Sequence, residues 1–345
     1  MSPRRRLGLA RDVSCLVGKA PYFSLNRGES MRAVKLAKRG MILAEATPHV
    51  DRDHVGELNE VFRHPLYLES SEEEREAIGL ASALSKYQSE LAYPWDAYFG
   101  RDLTPLLHGK KVLDLGCFTG GRGVAWFERY GLSRLVGVDV RQEYIDAATG
   151  FAALHKAKAA FVVAHGERLP FEDSSFHAVL SFDVFEHVQD VASTLAECHR
   201  VLKPGGRLFL VFPSYYHPLA HHLSLATRAP CLHWVFSGRT LIAAYNEILE
   251  ERGAAADWYR REPPELMPWE RGNTINGMTL ARFRRVVAVQ PWRRTCSVSR
   301  PLGSVGRNVS KSSKWRLVSR LLAPLTSIPG LQELVVHRIT YILEK

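Results

Sequence analysis

The chain has 345 residues, of which 46% are hydrophobic and 24% are charged. This composition is typical of a folded globular protein and argues against long disordered segments. The net charge of +10 would suit an anionic partner, but the basic residues are spread along the chain. No apolar run of about 18 residues and no convincing signal peptide is seen, and the five cysteines form no C-x-x-C pair, so a reducing cytoplasm is expected.

Residues 1–100 predict a helical N-terminal cap. Its clearest helix begins after Ser71, which forms an S-x-x-E capping box with Glu74. Apolar residues then recur at helical spacing until Pro94 stops the pattern.

Short apolar runs that alternate with helical stretches follow from Lys110. This pattern predicts an α/β fold with a parallel sheet covered on both faces, and its main core is residues 101–213. Residues 278–345 complete that sheet, with a short basic helix over Leu280–Val287. The predicted strands are Lys111–Leu115, Leu135–Asp139, Ala160–Ala164, His177–Phe182, Arg207–Phe212, Arg294–Ser299 and Leu334–Leu343.

Two insertions interrupt the predicted core. Residues 214–277 are rich in His, Tyr, Trp and Pro, which favours a substrate lid. Residues 303–329 form a second insertion, in which 311–322 is basic and amphipathic. That helix either contacts an anionic membrane surface or a lipid-linked substrate, or it is an ordinary docked helix.

Two acidic positions mark a nucleotide-type site. Asp114 ends the first strand just before a turn with Gly116, Gly120 and Gly121, where a following helix offers free N–H groups. Asp139 ends the second strand, where a carboxylate can accept hydrogen bonds from both ribose hydroxyls of an adenosine-containing cofactor, although a helix cap would look the same. The G-x-G-x-x-G spacing of nicotinamide-binding sites is missing.

Four motifs in this order resemble the class I S-adenosylmethionine (SAM) dependent methyltransferases that act on small molecules: VLDLGCFTGG, VGVDV, AHGERLPFEDSSFHAVLSFDVFEHVQD and HRVLKPGGRLFL. The resemblance covers about residues 110–213. It implies SAM as the cofactor and a doubly wound, seven-stranded Rossmann-like sheet. The implied strand order is 3-2-1-4-5-7-6, with strand 7 antiparallel.

The same resemblance implies the cofactor-binding residues. Asp139, with Val140 beside it, would hold the ribose, and Asp183 would face the methyl-donor region. The methionine half would lie against Asp114, Gly116 and Gly120, and the adenine against His165, Gly166 and Glu167. Phe118 stands where the family usually has glycine, so either the turn takes a different path or an aromatic ring lies near the sulfonium.

Asp183, Glu186 and His187 are spaced i, i+3, i+4 and would share one face if a helix began at Asp183. A related acid-x-x-Glu-His pattern binds a metal in some relatives, with His217 as a possible fourth ligand here, but we predict no metal. Asp183, His187 and His217 are the predicted catalytic residues. The predicted substrate-binding residues are Tyr215, Tyr216, His217 and His221.

These features predict methyl transfer to a small molecule, through a hydroxyl group on a secondary metabolite, a sugar or a lipid-linked intermediate. Nucleic acid is not an expected partner, and the oligomeric state is left open. One alternative is an RNA or protein methyltransferase, motivated by the positive charge. Another is a non-catalytic SAM-binding regulatory protein, motivated by Phe118 and His165.

Overall fold

The computed structural model describes residues 31–42, 65–218, 220, 223, 227, 229–251, 275–304 and 313–345. His221 and the first two residues of the predicted basic helix, 311 and 312, lie outside this part of the chain. No helix among the described residues is long and apolar enough to cross a membrane.

Seven strands form one sheet in the order β3-β2-β1-β4-β5-β7-β6, which confirms the predicted order. β1 to β5 pair in parallel, whereas β7 runs antiparallel to both β5 and β6. β6 therefore points the same way as β5. The strands are β1 Lys111–Leu115, β2 Arg134–Asp139, β3 Ala159–Val163, β4 Phe176–Phe182, β5 Leu202–Phe212, β6 Arg294–Ser297 and β7 Ile339–Glu344.

Helices cover both faces of the sheet, as the apolar strand runs predicted. The helices are α1 Met31–Ile42, α2 Pro65–Leu68, α3 Glu72–Ala92, α4 Asp96–Phe99, α5 Thr104–Leu107, α6 Gly121–Tyr130, α7 Gln142–Leu154, α8 Val191–Val201, α9 Leu232–Val235, α10 Gly238–Glu251, α11 Leu280–Ala288, α12 Ser313–Leu322 and α13 Gln332–Val335, with a 3-10 helix at Ala323–Ser327 after α12.

Alternate residues of the central strands enter two separate cores. Leu113 and Val179 pack with α8 and α11 on one face. Val112 and Leu180 pack on the other face with Trp126 of α6, Tyr98 of α4 and the helix α5. Side chains in a strand alternate between its two faces, so one apolar run serves both layers.

α3 links the N-terminal region to this core. Its capping box is present as predicted, because Ser71 Oγ accepts from Glu74 N and Glu74 Oε2 accepts from Ser71 N. α3 packs on α6 and α7. A Cβ atom on Gly121 would lie 1.8 Å from the Ala83 carbonyl oxygen, so glycine is what allows α3 and α6 to approach this closely.

α1 packs instead on α10, within the predicted lid insertion. Met41, which is fully buried, shares a core with Leu241 and Tyr245 of α10. Thr227 Oγ1 donates to the Met41 carbonyl at 2.8 Å, and Lys38 forms an ion pair with Glu247 at 3.4 Å. α1 and α10 therefore form one packed unit.

Three sequence-based expectations differ from the structure. No helix begins at Asp183; residues 185–187 form a turn, and α8 starts at Val191 because the Asp190 carboxylate caps it. The last strand begins at Ile339 rather than Leu334. Residues 335 and 336 bond instead to the chain around Pro301, through Leu302 N and a bridge to Val336. The fifth strand begins at Leu202 rather than Arg207, and residues 203–206 form a register shift against β4.

Candidate active site

The carboxyl ends of the parallel strands meet at one edge of the sheet, here called the ligand edge. Open α/β sheets bind ligands at this edge. β1 leads there into the glycine turn, residues 116–121, and β2 ends there at Asp139. β4 is followed by Asp183, and β5 by residues 213–217. The main predicted site segments therefore share one edge.

The glycine turn is anchored on β2 by its backbone. The N–H groups of Gly116 and Cys117 both donate to the Val138 carbonyl, at 2.8 and 2.9 Å. Gly116 has φ +76°, and a Cβ atom there would lie 2.2 Å from the Val184 side chain. The turn therefore needs glycine at this point for its φ and for the close approach.

Phe118 keeps the left-handed backbone that glycine usually supplies, with φ +49°. This conformation costs a non-glycine residue about 1–2 kcal/mol. Its ring lies 4.6 Å from the Tyr144 ring and 5.5 Å from Lys86 Nζ. The turn thus follows a left-handed path despite the side chain, and the aromatic ring packs toward α7 and α3.

Asp139 joins the turn to the end of β2. Its Oδ2 accepts from Phe118 N at 2.8 Å and its Oδ1 accepts from Val140 N at 2.7 Å. Burial raises the pKa of this carboxyl, and the backbone N–H donors partly offset that rise. Val140 itself is exposed. Each carboxylate oxygen keeps lone pairs for a further donor.

The segment after β3 lies next to Asp139. Ala164 N donates to the Asp139 carbonyl at 2.9 Å. His165 is exposed and Gly166 is buried. Glu167 Oε1 accepts from Gln189 N at 3.1 Å, so this carboxylate holds the loop before α8.

Asp114 lies beneath the turn, 3% exposed. Burial raises its pKa to about 7; the negative charges of Asp139 and Glu90 add to the rise and Arg122 opposes it. The Thr119 hydroxyl in the turn is also buried, and it has no hydrogen-bond partner among the described residues.

Asp183 belongs to a charged cluster at the ligand edge. Its carboxylate accepts a hydrogen bond from Arg338, and its backbone has φ +58°. The Arg338 guanidinium lies 5.7 Å from the Tyr98 ring and 5.2 Å from the Phe182 ring. Three distant segments thus meet around one arginine.

His217 contacts this cluster through His337. Their ring centroids are 5.2 Å apart, and the His337 ring stacks on Tyr98 at 6.3 Å with an interplanar angle of 9°. Burial lowers the pKa of His337 well below its usual value, and the charge of Arg338 lowers it further, so this imidazole is neutral near pH 7. We call Tyr98, Asp183, His217, His337 and Arg338 the arginine–histidine cluster.

Tyr215 and Tyr216 lie at the start of the lid. Tyr215 N donates to the Met278 carbonyl at 2.8 Å, and the Tyr215 carbonyl accepts from His233 Nε2 at 2.8 Å. The rings of Tyr215 and Tyr216 are 5.5 Å apart, and Tyr216 is partly exposed. His221, the fourth predicted substrate residue, lies outside the described residues.

Glu186 and His187 occupy the turn after Asp183. Glu186 is buried, and burial together with the negative charge of Asp183 raises its pKa well above the usual value. His187 is exposed, with Nε2 3.8 Å from Glu186 Oε1. In the part of the chain that the structure describes, no three His, Cys, Asp or Glu side chains form a metal site.

Three residues of the arginine–histidine cluster, Tyr98, His337 and Arg338, are not predicted from the sequence. Arg338 and His337 lie in the run V-V-H-R-I-T-Y-I-L, whose apolar residues indicate only a strand. Tyr98 lies in the cap, more than two hundred positions away. His337 and Arg338 give one local signal, because they interrupt an apolar run in which charged side chains are uncommon.

A family model described as a methyltransferase domain matches residues 113–210. That segment contains β2 to β4, most of β1 and β5, and every cofactor residue predicted above. Residues 113–210 form a class I methyltransferase domain.

Individual relatives are similar over about a third of the chain. Norajmaline N-methyltransferase from Rauvolfia serpentina is 34% identical over 110 residues, which is 31% of this chain and 37% of that protein. Ubiquinone biosynthesis O-methyltransferase from Pseudomonas aeruginosa is 36% identical over 112 residues, covering 30% and 44%. The match thus spans less than half of either relative.

A solved SAM-dependent methyltransferase from Mesorhizobium loti is similar over 73% of this chain and 97% of its own, with 15% identity and a TM-score of 0.46.

Proposed function

We propose that this chain transfers a methyl group from SAM to a hydroxyl group of a small-molecule acceptor. The observation that supports this most is the placement of the arginine–histidine cluster on the same sheet edge as the methyltransferase domain's glycine turn and Asp139. A cofactor site and a set of titratable side chains therefore open at one edge.

The residues of the glycine turn fit SAM. Asp139 has lone pairs for the ribose hydroxyls, with Val140 alongside. The Thr119 hydroxyl is buried without a partner among the described residues, and such a group is costly unless a ligand bonds to it. The methionine half would lie along Asp114, Gly116, Phe118 and Gly120, its carboxylate at the N-terminus of α6, and the adenine would lie by His165, Gly166 and Glu167.

When bound, SAM supplies a methyl group on a sulfonium sulfur that leaves as a neutral thioether. The acceptor oxygen forms a C–O bond as the C–S bond breaks, so the hydroxyl proton must pass to a base. We assign that role to His217, because it contacts the cluster, while His187 is the alternative base. Asp183, held by Arg338, orients the acceptor, and Tyr215 and Tyr216 line its entry.

The test is transfer of isotope-labelled methyl from SAM to a panel of small hydroxyl compounds, with products identified by mass spectrometry. His217→Asn should lower kcat by about 10²-fold or more and leave the Kd for SAM unchanged, since the base acts only in transfer. His187→Asn is the matched comparison and should have a smaller effect.

Labelled RNA, protein or amine products without any O-methyl product would contradict the hydroxyl assignment. Wild-type turnover by His217→Asn would contradict the role of that residue. SAM binding without transfer to any class of acceptor would favour a regulatory protein instead.

A further inference from the structure

α12 is a helix that buries none of its residues. A surface helix normally packs an apolar stripe on the core. Here Trp315, Leu317, Val318 and Leu321 are all exposed, with Leu321 at 68%. Ile328, Leu331 and Leu334, which follow the helix, are exposed as well and enlarge the apolar surface.

The apolar residues of α12 share one side. At 100° per residue, Leu317, Leu321, Val318, Leu322 and Trp315 fall within a single arc, and Arg316 and Arg320 point the other way. Lys314 lies within the apolar arc, and its long stem lets the ammonium group reach past an apolar layer. This is the arrangement of a helix that lies in a membrane interface.

The charged residues around α12 are all basic. Residues 303–332 contain no Asp or Glu. They contain five basic residues, Arg307, Lys311, Lys314, Arg316 and Arg320. A basic segment with exposed leucines and a tryptophan complements anionic lipid, because the charges attract headgroups while the apolar side chains enter the acyl boundary.

The fold places this segment at the ligand edge. β6 points the same way as β5, so the chain leaves β6 at that edge on its way to α12. After α12 the chain is bound to the site: Glu333 accepts from Ser214 Oγ at 3.1 Å, and Arg338 bonds to Asp183.

We infer that α12, together with Ile328, Leu331 and Leu334, docks this protein on an anionic lipid bilayer with the ligand edge toward the lipid. Two attractions act together: burial of the exposed apolar side chains in the lipid, and attraction of each basic residue to the anionic surface. Docking does not depend on the proposed methyl transfer.

The test is flotation of the full chain with vesicles of phosphatidylcholine alone or mixed with phosphatidylglycerol. The wild-type chain should float with the anionic vesicles. Arg316→Glu/Arg320→Glu should weaken this binding at least about tenfold. The charge-matched control is Arg134→Glu/Lys158→Glu, two exposed residues at the opposite edge of the sheet, and it should weaken binding less.

A second pair of variants tests the apolar face. Leu317→Ser/Leu321→Ser, at residues 59% and 68% exposed, should lose vesicle binding. Leu36→Ser/Leu154→Ser, at residues 58% and 69% exposed, should keep it. SAM titration of all variants without vesicles should give wild-type affinity, which separates docking from the proposed function.

Failure of the wild-type chain to bind anionic vesicles would overturn the inference. So would equal binding by the α12 variants and their controls. Concentration-dependent dimers that disappear in Leu317→Ser/Leu321→Ser, without vesicle binding, would show that a second copy of the chain covers this face.

Discussion

Asp114 places a carboxyl group in the apolar interior directly beneath the glycine turn. It is 3% exposed, and burial raises its pKa to about 7. In the unfolded chain this carboxyl loses its proton near pH 3.8. Between pH 3.8 and about pH 7 the folded state holds one more proton at Asp114 than the unfolded chain does. The contribution of this carboxyl to the free energy of unfolding therefore falls as the pH rises through this range.

Asp114→Asn removes this titration. Its free energy of unfolding relative to wild type should therefore increase between pH 5 and pH 8, by about 2–3 kcal/mol. Urea denaturation at the two pH values measures the change. Asp173→Asn, at an exposed carboxylate, is the control variant. A wild-type-like pH dependence in Asp114→Asn would contradict the buried, proton-holding carboxyl.

Phe118 is a second residue whose side chain does not suit its position in the fold. A large side chain occupies a backbone position with φ +49°, where glycine would be unstrained. Contact with Tyr144 and Lys86 gives the ring a place to pack. Strained residues concentrate at ligand sites, which is consistent with the role proposed for this turn.

At the scale of elements, the contact of α3 with α6 and α7 holds the cap against the glycine turn. Gly121 and Gly150 are both helical glycines that face α3. A Cβ atom on Gly121 would meet the Ala83 carbonyl oxygen at 1.8 Å, whereas one on Gly150 would meet Leu80 Cδ2 at 3.5 Å, which is an ordinary contact.

These distances predict opposite effects of the same substitution. Gly121→Ala should lower the free energy of unfolding by about 1–3 kcal/mol, because rigid backbone atoms must separate. Gly150→Ala should raise it by up to about 1 kcal/mol, since alanine favours a helix. Urea denaturation of both variants measures these changes in the free energy of unfolding. If Gly150→Ala alone were destabilised, the described packing of α3 on α6 and α7 would be contradicted.

At the scale of the whole molecule, the sequence allowed the sheet to be predicted because its signals are local. Each signal is short: the strand run Lys111–Leu115 has five residues, and the capping box joins Ser71 to Glu74. The strand order followed from the family resemblance, and Asp139 could be located from the end of its strand.

The arginine–histidine cluster could not be predicted in the same way. Tyr98, Asp183, His217 and Arg338 come from the cap, the core, the lid and the final strand region, and only the folded sheet brings them together. The helix considered at Asp183 is absent for a related reason. Its i, i+3, i+4 spacing fits a helix, but the chain needs a turn there before the Asp190 cap.

The packing of α1 on α10 has the same long-range character. Lys38 and Glu247 are 209 positions apart, and no sequence pattern links them. α1 and α10 therefore form a packed unit outside residues 113–210, the segment that the methyltransferase match covers.

Isothermal titration of the purified chain with SAM tests the central claim most directly, with Asp139→Ala as the site variant and Asp173→Ala as the exposed control. We predict binding in the micromolar range that Asp139→Ala weakens at least about tenfold, because the ribose loses its acceptor. Asp173→Ala should bind as wild type does. No binding by the wild-type chain, or equal affinity in Asp139→Ala, would contradict a cofactor site at the glycine turn.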